Sequence, residues 1–158
     1  MLAQKLVSLA RREVGVEEVN GSNCGPRVNQ YKAATNLPPT ESWPWCAAFI
    51  DWLVREAIKG GTYTFTRPTT AGAWDLENWS LKQDNSTKTK RSPGSDIKAG
   101  DIVIFKFSHV GLAVGDADGD TVKTIEGNTD AAGSREGGGV FEKRRNLSQI
   151  KTRIRFTV

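Results

Sequence analysis

The sequence is poor in residues that bind metals or form disulfides, with two cysteines and one histidine among 158 residues. Two cysteines cannot build the disulfide framework that stabilises many small secreted domains. There is no second cysteine pair for a zinc site, and a single histidine excludes a histidine-rich metal site. Any reaction at Cys24, Cys46 or His109 would therefore use the side chain itself and not a metal ion bound to it.

Long apolar runs are also lacking. Gln4, Lys5 and Ser8 interrupt the N-terminal stretch, so it lacks the continuous apolar core of a signal peptide. No apolar stretch approaches the roughly 20 residues that a membrane-spanning helix needs. We therefore expect the protein to be synthesised in the cytoplasm without a signal peptide and not to insert into a membrane.

Length and composition predict one soluble domain over residues 1–158. Hydrophobic residues make up 37% of the chain and charged residues 25%, which are ordinary values for a globular protein. The net charge of +4 favours an acidic partner, such as nucleic acid or an anionic cell wall. Charge alone does not choose between these two.

Helical periodicity dominates the first half of the chain, and strand alternation dominates the second. Helices are predicted over residues 2–14, 28–34, 45–57 and 69–79. Strands are predicted over residues 101–107, 110–114, 121–126, 139–145 and 151–158, with a hairpin turn at 118–119 and a polar surface loop at 82–96. This order predicts an α+β fold in which N-terminal helices pack on a C-terminal antiparallel sheet of about five strands.

Cys46 is predicted to open a buried helix. Pro44 disfavours helical geometry at Trp43, and an apolar helical stretch follows from Cys46 onward. A thiol at a helix N-terminus feels the positive end of the helix dipole, which stabilises the thiolate. A cysteine in this position, with a histidine partner elsewhere in the chain, is the arrangement of cysteine hydrolases.

A base and an orienting group follow in the predicted strands. His109 begins the second strand, and Glu126 ends the third, two residues before Asn128. If the extended conformation continues, Glu126 and Asn128 share a strand face. A hairpin would bring one of them beside His109 and complete a nucleophile, base and orienter.

These segments together resemble the CHAP family of cysteine, histidine-dependent amidohydrolases and peptidases. The resemblance is carried by motifs that occur in the family's order: Trp45-Cys46-Ala47-Ala48-Phe49, Gly100-Asp101-Ile102-Val103, His109-Val110-Gly111-Leu112 and Glu126-Gly127-Asn128. The stretch 13–25 and the segment 139–141 are similar to family members as well, so the resemblance covers nearly the whole chain. Members are papain-like peptidoglycan hydrolases, common in phage lysins and bacterial wall enzymes.

The resemblance implies a role for each matched residue. It makes Cys46 the nucleophile, His109 the base, Glu126 the orienter and Asn128 a further polar member. A carboxylate stabilises an imidazolium better than an amide does, which also favours Glu126 over Asn128. No cofactor is implied. Some members carry an acidic calcium loop before the cysteine, but residues 35–45 contain only Glu41, so we expect no metal there.

The substrate implied by the resemblance is an amide bond of bacterial peptidoglycan. The bond would lie within the stem peptide or between muramic acid and L-alanine, and we expect a monomeric phage endolysin that acts in the periplasm or cell wall. Without an export signal, it would need a holin or a secretion system to reach the wall. The alternatives are an antibacterial toxin of the same chemistry and a non-catalytic module that binds the wall or nucleic acid. The basic runs lack the aromatic strand face or helix-turn-helix pattern typical of nucleic-acid binding.

Several other residues have an ordinary structural interpretation. Cys24 lies in a Gly/Asn-rich loop with no motif around it. Trp45 and Trp74 are candidates for lining a substrate groove, although tryptophans are most often core residues. The aspartates of 116–120 resemble a calcium loop, but the glycine is misplaced, which favours a solvated turn. The basic run 143–145 is expected to be a solvated face.

Overall fold

The computed structural model describes residues 1–63, 65–83, 96–134 and 137–158, together with the backbone of 89–92. In these parts of the chain four α-helices precede all of the strands. They are α1 (Leu2–Glu13), α2 (Pro26–Lys32), α3 (Cys46–Ala57) and α4 (Ala73–Lys82). The first and third agree closely with prediction. The second begins two residues earlier than predicted because Pro26 is favourable in the first turn of a helix.

The strands form one antiparallel sheet, as predicted. They are β1 (Thr89–Ser92), β2 (Ile102–Phe105), β3 (Val110–Ala113), β4 (Thr121–Thr129), β5 (Gly139–Asn146) and β6 (Ile150–Phe156). Their order across the sheet is β1-β6-β2-β3-β4-β5. The α+β prediction is therefore confirmed. The short strand β1 adds a sixth member where a surface loop was expected, since it pairs with the edge of β6; residues 84–88 and 93–95 of that predicted loop lie outside the described residues.

Helix α3 is the centre of the fold. Ten of its twelve residues are buried, including Asp51, whose pKa is raised to about 9 by burial. It packs against α1 and α2 on one side and against β3 and β4 on the other. A helix that is apolar nearly all round has to be covered on several sides, and this requirement places the N-terminus of α3 beside the central strands.

The hairpin of β3 and β4 brings the predicted catalytic segments together. Asp118 and Thr121 exchange backbone hydrogen bonds across the predicted turn, where Gly119 has a positive φ of 61°. The two strands pair antiparallel, with Leu112 opposite Ile125. In this register the start of β3 lies beside the second half of β4.

None of the described helices is long and apolar enough to cross a membrane.

Candidate active site

Cys46 is the first residue of α3. Its N-terminal neighbour Trp45 has non-helical backbone angles and caps the helix. At this position the backbone N–H has no acceptor within the helix, so it remains available to a bound group. Cys46 as a whole is 7% exposed. Cys46 therefore combines a helix N-terminus, a narrow opening to the surface and a free backbone donor.

His109 precedes β3 and is fully buried. It follows Ser108, whose positive φ of 56° is uncommon for a residue other than glycine. The backbone N–H of Phe105 donates to the carbonyl of His109 at 2.9 Å, which closes the turn between β2 and β3. The imidazole stacks on Phe105 and Phe107, with ring centroids 5.7 and 5.8 Å away. The turn and the two aromatic rings fix the plane of the imidazole.

Glu126 provides the partner of that imidazole. His109 Nε2 lies 2.9 Å from Glu126 Oε1, and both side chains are completely buried. The Thr124 hydroxyl donates to the other carboxylate oxygen, Oε2, at 2.5 Å. Gly111 faces the carboxylate from β3, where a Cβ atom would come within 2.7 Å of Glu126 Cγ. A glycine is required at position 111 for Glu126 to reach His109.

Cys46 is the second polar neighbour of the histidine. Since Nε2 is engaged by Glu126, Nδ1 is the remaining ring nitrogen, and it makes no hydrogen bond to the residues that the structure describes. The Cys46 side chain is close enough to act on the pKa of His109. The arrangement has a thiol, an imidazole and a carboxylate in that order, with the imidazole in the middle.

The electrostatics of the pair favour its charged form. Burial lowers the pKa of His109, but the nearby Cys46 side chain and the hydrogen-bonded carboxylate of Glu126 outweigh this and raise the pKa to about 9. Burial raises the pKa of Glu126, but Arg145 and His109 lower it to about 2. An imidazolium and a carboxylate therefore persist together at neutral pH.

Arg145 on β5 is a further member of the site. Its burial corrects the prediction that the basic run 143–145 is a solvated face. Its Nε donates to Glu126 Oε2 at 2.8 Å, its Nη2 donates to Oε1, and only 7% of the residue is exposed. The guanidinium also lies over the rings of Phe105 and Phe107.

Strand alternation puts Arg145 on the same face as Phe141, but Lys143 shares that face and is only partly buried, so alternation alone does not predict the burial of Arg145. A buried carboxylate such as that of Glu126 requires a charged or hydrogen-bonding partner. The basic run 143–145 does not show by itself which of its residues is that partner.

Asn128 does not share the strand face of Glu126. The pairing of β4 with β5 shifts register between Glu126 and Thr129, and Asn128 has a positive φ of 57°. The regular alternation assumed for Glu126 and Asn128 is therefore interrupted within β4, between Glu126 and Thr129. Asn128 is nevertheless buried next to the site. Gly127 between them packs on α3, where a Cβ atom would lie 2.8 Å from that of Phe49.

A cleft of about 250 Å³ opens at Cys46. Its lining residues come from the segment before α3, the start of α4 and the turn before His109: Leu37, Trp43, Pro44, Cys46, Ala71, Gly72, Ala73 and Ser108. No charged side chain is among them. A substrate would enter here to reach the thiol.

The two tryptophans predicted to line a groove differ in their surroundings. Trp45 is fully buried, and its indole N–H donates to Glu18 at 2.9 Å, so the prediction of a groove residue is wrong for Trp45. Its neighbour Trp43 lines the cleft instead. Residues two apart share a side in a regular strand, but the backbone of Trp45, with φ −123° and ψ 19°, is not extended. The sequence alone therefore does not predict which of the two indoles faces the cleft. Trp74 is 44% exposed at the start of α4, beside the cleft residue Ala73.

The remaining candidates lie apart from this cluster. Cys24 and Cys46 are both free thiols. Asp116 accepts a hydrogen bond from the backbone of Ala99 and pairs with Lys98. Within the described ranges, no group of three or more His, Cys, Asp or Glu side chains is placed to hold a metal ion.

Comparison with known proteins supports the sequence resemblance. The sequence model of the CHAP domain matches residues 38–128, which include Cys46, His109 and Glu126. No curated protein matches the sequence significantly. Among solved structures, the wild-type endolysin LysIME-EF1 has a similar fold, with a TM-score of 0.59 and 18% identity. The match covers 98% of this chain and 64% of the endolysin chain. Since the family model matches more than half of the sequence, this chain belongs to the CHAP domain family.

Proposed function

We propose that the protein is a peptidoglycan hydrolase that cleaves an amide bond with Cys46 as its nucleophile. The observation that carries this proposal is the buried His109–Glu126 hydrogen bond, with the Cys46 thiol beside the imidazole at the end of the cleft. A nucleophile next to a base that is itself oriented by a third group is the signature of covalent acyl transfer. This complete arrangement supports an enzyme over a binding module.

The proposed reaction has two stages. The Cys46 thiolate attacks the carbonyl carbon of the substrate, and the backbone N–H of Cys46 stabilises the negative charge that develops on the oxygen. The His109 imidazolium then protonates the leaving amine, and an acyl thioester remains on Cys46. Neutral His109 next removes a proton from water, which attacks the thioester and releases the acid. Glu126 keeps the imidazole oriented in both stages.

Peptidoglycan as substrate is supported by family membership and by the charge of the chain. The solved structure with the similar fold is named an endolysin. A net charge of +4 favours binding to an anionic wall. The proposed bond lies in the stem peptide or between N-acetylmuramic acid and L-alanine. In this role the protein acts in the cell wall as a phage endolysin or an antibacterial toxin, and reaches it with the help of a holin or a secretion system.

The test is hydrolysis of purified cell walls by the wild type, Cys46→Ala and Cys24→Ser. We expect Cys46→Ala to abolish hydrolysis while its circular dichroism spectrum stays that of the wild type. Cys24→Ser is the matched control, because it removes the other thiol but keeps a hydrogen-bond acceptor, and it should retain activity. Wall hydrolysis at the wild-type rate by folded Cys46→Ala would contradict the proposal. Wall binding without hydrolysis by the wild type would favour the binding module instead.

A further inference from the structure

Lys32 at the end of α2 is a fully buried lysine, which is rare in proteins. Its ammonium group donates to the carbonyl of Asn23 at 2.7 Å and to the carbonyl of Glu41 at 2.6 Å. Its third contact is the sulfur of Cys24, at 3.3 Å. The three donors of the ammonium are thus matched by three acceptors, which a buried charge requires.

The acceptors come from two separate segments of the chain. Asn23 and Cys24 belong to the loop before α2, whereas Glu41 belongs to the segment between α2 and α3. The Cys24 sulfur also lies 3.7 Å from the carbonyl of Thr40, so it touches the same second segment. One ammonium group therefore joins two loops that have no regular hydrogen-bond ladder between them.

The second of these segments forms one wall of the cleft at Cys46. Leu37, Trp43 and Pro44 all line that cleft, and Glu41 lies between them in the chain. The ammonium of Lys32 also lies 5.2 Å from the ring centroid of Trp43. A loop is free to move unless its backbone groups are held, and here a charge-assisted bond to Glu41 holds it.

We propose that Lys32 is a positioning residue for substrate binding: its buried ammonium fixes the 37–44 segment and Trp43 as a wall of the cleft. This inference rests on the proposed function, since it assigns a role in binding the same substrate. Lys32 is buried and is not among the residues that line the cleft, so we assign it no part in the chemistry at Cys46. Its loss should therefore affect binding more than the chemical step.

The test compares Lys32→Met with Lys5→Met, an exposed lysine on α1, using soluble peptidoglycan fragments well below the melting temperature of each variant. Methionine fills a similar volume but leaves the carbonyls of Asn23 and Glu41 without their donor. We expect KM to rise about tenfold, the scale of one charge-assisted hydrogen bond, with kcat within about twofold of the wild type. Alkylation of Cys46 by iodoacetamide, followed by peptide mapping, should proceed at the wild-type rate. Lys5→Met should match the wild type in all three measurements.

An unchanged KM in folded Lys32→Met would overturn the inference, as would a fall in kcat with slowed alkylation of Cys46. If Lys32→Met does not fold, Cys24→Val tests the contact between Lys32 and Cys24 at a half-exposed residue. A rise in KM at unchanged kcat then supports the inference, and an unchanged KM overturns it. Failure of the proposed function would look different. In that case the wild type itself would leave the wall fragments intact.

Discussion

At the scale of single residues, the site depends on one carboxylate with several partners. Glu126 accepts from His109, Arg145 and Thr124, and none of its surface reaches solvent. Burial alone would protonate this group. Arg145 and the imidazolium of His109 instead keep it ionised, so that its negative charge is available to hold the proton on His109.

Replacing Glu126 by glutamine should reduce the rate of wall hydrolysis about 100-fold or more, the scale of a positioned acid–base partner. The pH profile should also change, and its direction follows from the raised pKa of His109. In the wild type, activity that needs imidazolium is lost as pH rises through about 9. In Glu126→Gln the pKa of His109 falls, so the alkaline loss should move to lower pH. Rates measured from pH 5 to 10 test this.

Asn128→Ala is the comparison for that variant. It should cost less activity and leave the alkaline limb in place, because the hydrogen bond that orients His109 comes from Glu126. If Asn128→Ala proves more damaging than Glu126→Gln, the orienting residue is Asn128 and Glu126 has a supporting role.

Arg145→Met should lower the free energy of unfolding by about 3 kcal/mol at pH 7, because removing one partner of a buried ion pair leaves the other charge unpaired. Arg144→Met is the matched control: the adjacent arginine is exposed, and we expect a change within about 0.5 kcal/mol. The effect should shrink as pH falls toward 4, since Glu126 without Arg145 becomes protonated at a higher pH than its value of about 2 in the wild type. Urea denaturation at both pH values measures this. Equal effects of the two substitutions would contradict the role of Arg145.

At the scale of elements, two glycines allow the strands and α3 to approach closely. Gly111 on β3 leaves space for the Glu126 side chain, and Gly127 on β4 leaves space for Phe49 and Trp45. A larger side chain at either glycine would push the carboxylate, the imidazole and the start of α3 farther apart. The glycines of the His109 and Glu126 motifs thus have a steric role in the site.

Gly111→Ala should therefore reduce activity and destabilise the protein by about 1–3 kcal/mol, the usual cost of an added group in a packed interior. The added methyl would displace Glu126 and lengthen its bond to His109. Gly115→Ala is a suitable control, because a Cβ atom there meets no heavy atom within 4 Å. Thermal melts and wall hydrolysis rates for both variants test this, and similar results for the two would show that the close approach at Gly111 is unimportant.

At the scale of the molecule, the sheet has apolar clusters on both faces, and the site combines the start of α3 with residues of the sheet. The larger cluster joins α1, α2, α3 and α4 to one face of the sheet. A smaller one, which includes Val103, Phe105 and Ile150, covers the other face. The helix layer contributes Cys46, and the sheet contributes His109, Glu126 and Arg145. The cleft is bounded by loops, which are held on this scaffold by contacts such as those of Lys32.

Wall hydrolysis should survive treatment with EDTA. The proposed reaction uses a thiol, an imidazole and a carboxylate, and no step needs a metal ion. Activity measured before and after chelation, with calcium added back, tests this expectation. Loss of activity that calcium restores would point to the aspartates of 116–120 or to the loop of residues 17–23, and Asp118→Asn would then distinguish the two.

The sequence by itself determined the order of helices and strands, the nature of Cys46 as the start of a buried helix, and the motifs of the family. These features depend on local patterns of apolar residues, turn residues and short motifs, which are written along the chain. The sequence did not reveal that Arg145 is buried against Glu126, that Trp43 rather than Trp45 lines the cleft, or that the pairing of β4 is irregular between Glu126 and Thr129. Only the tertiary structure decided these points, because each depends on which side chains from distant segments meet, and on how a buried charge finds its partner.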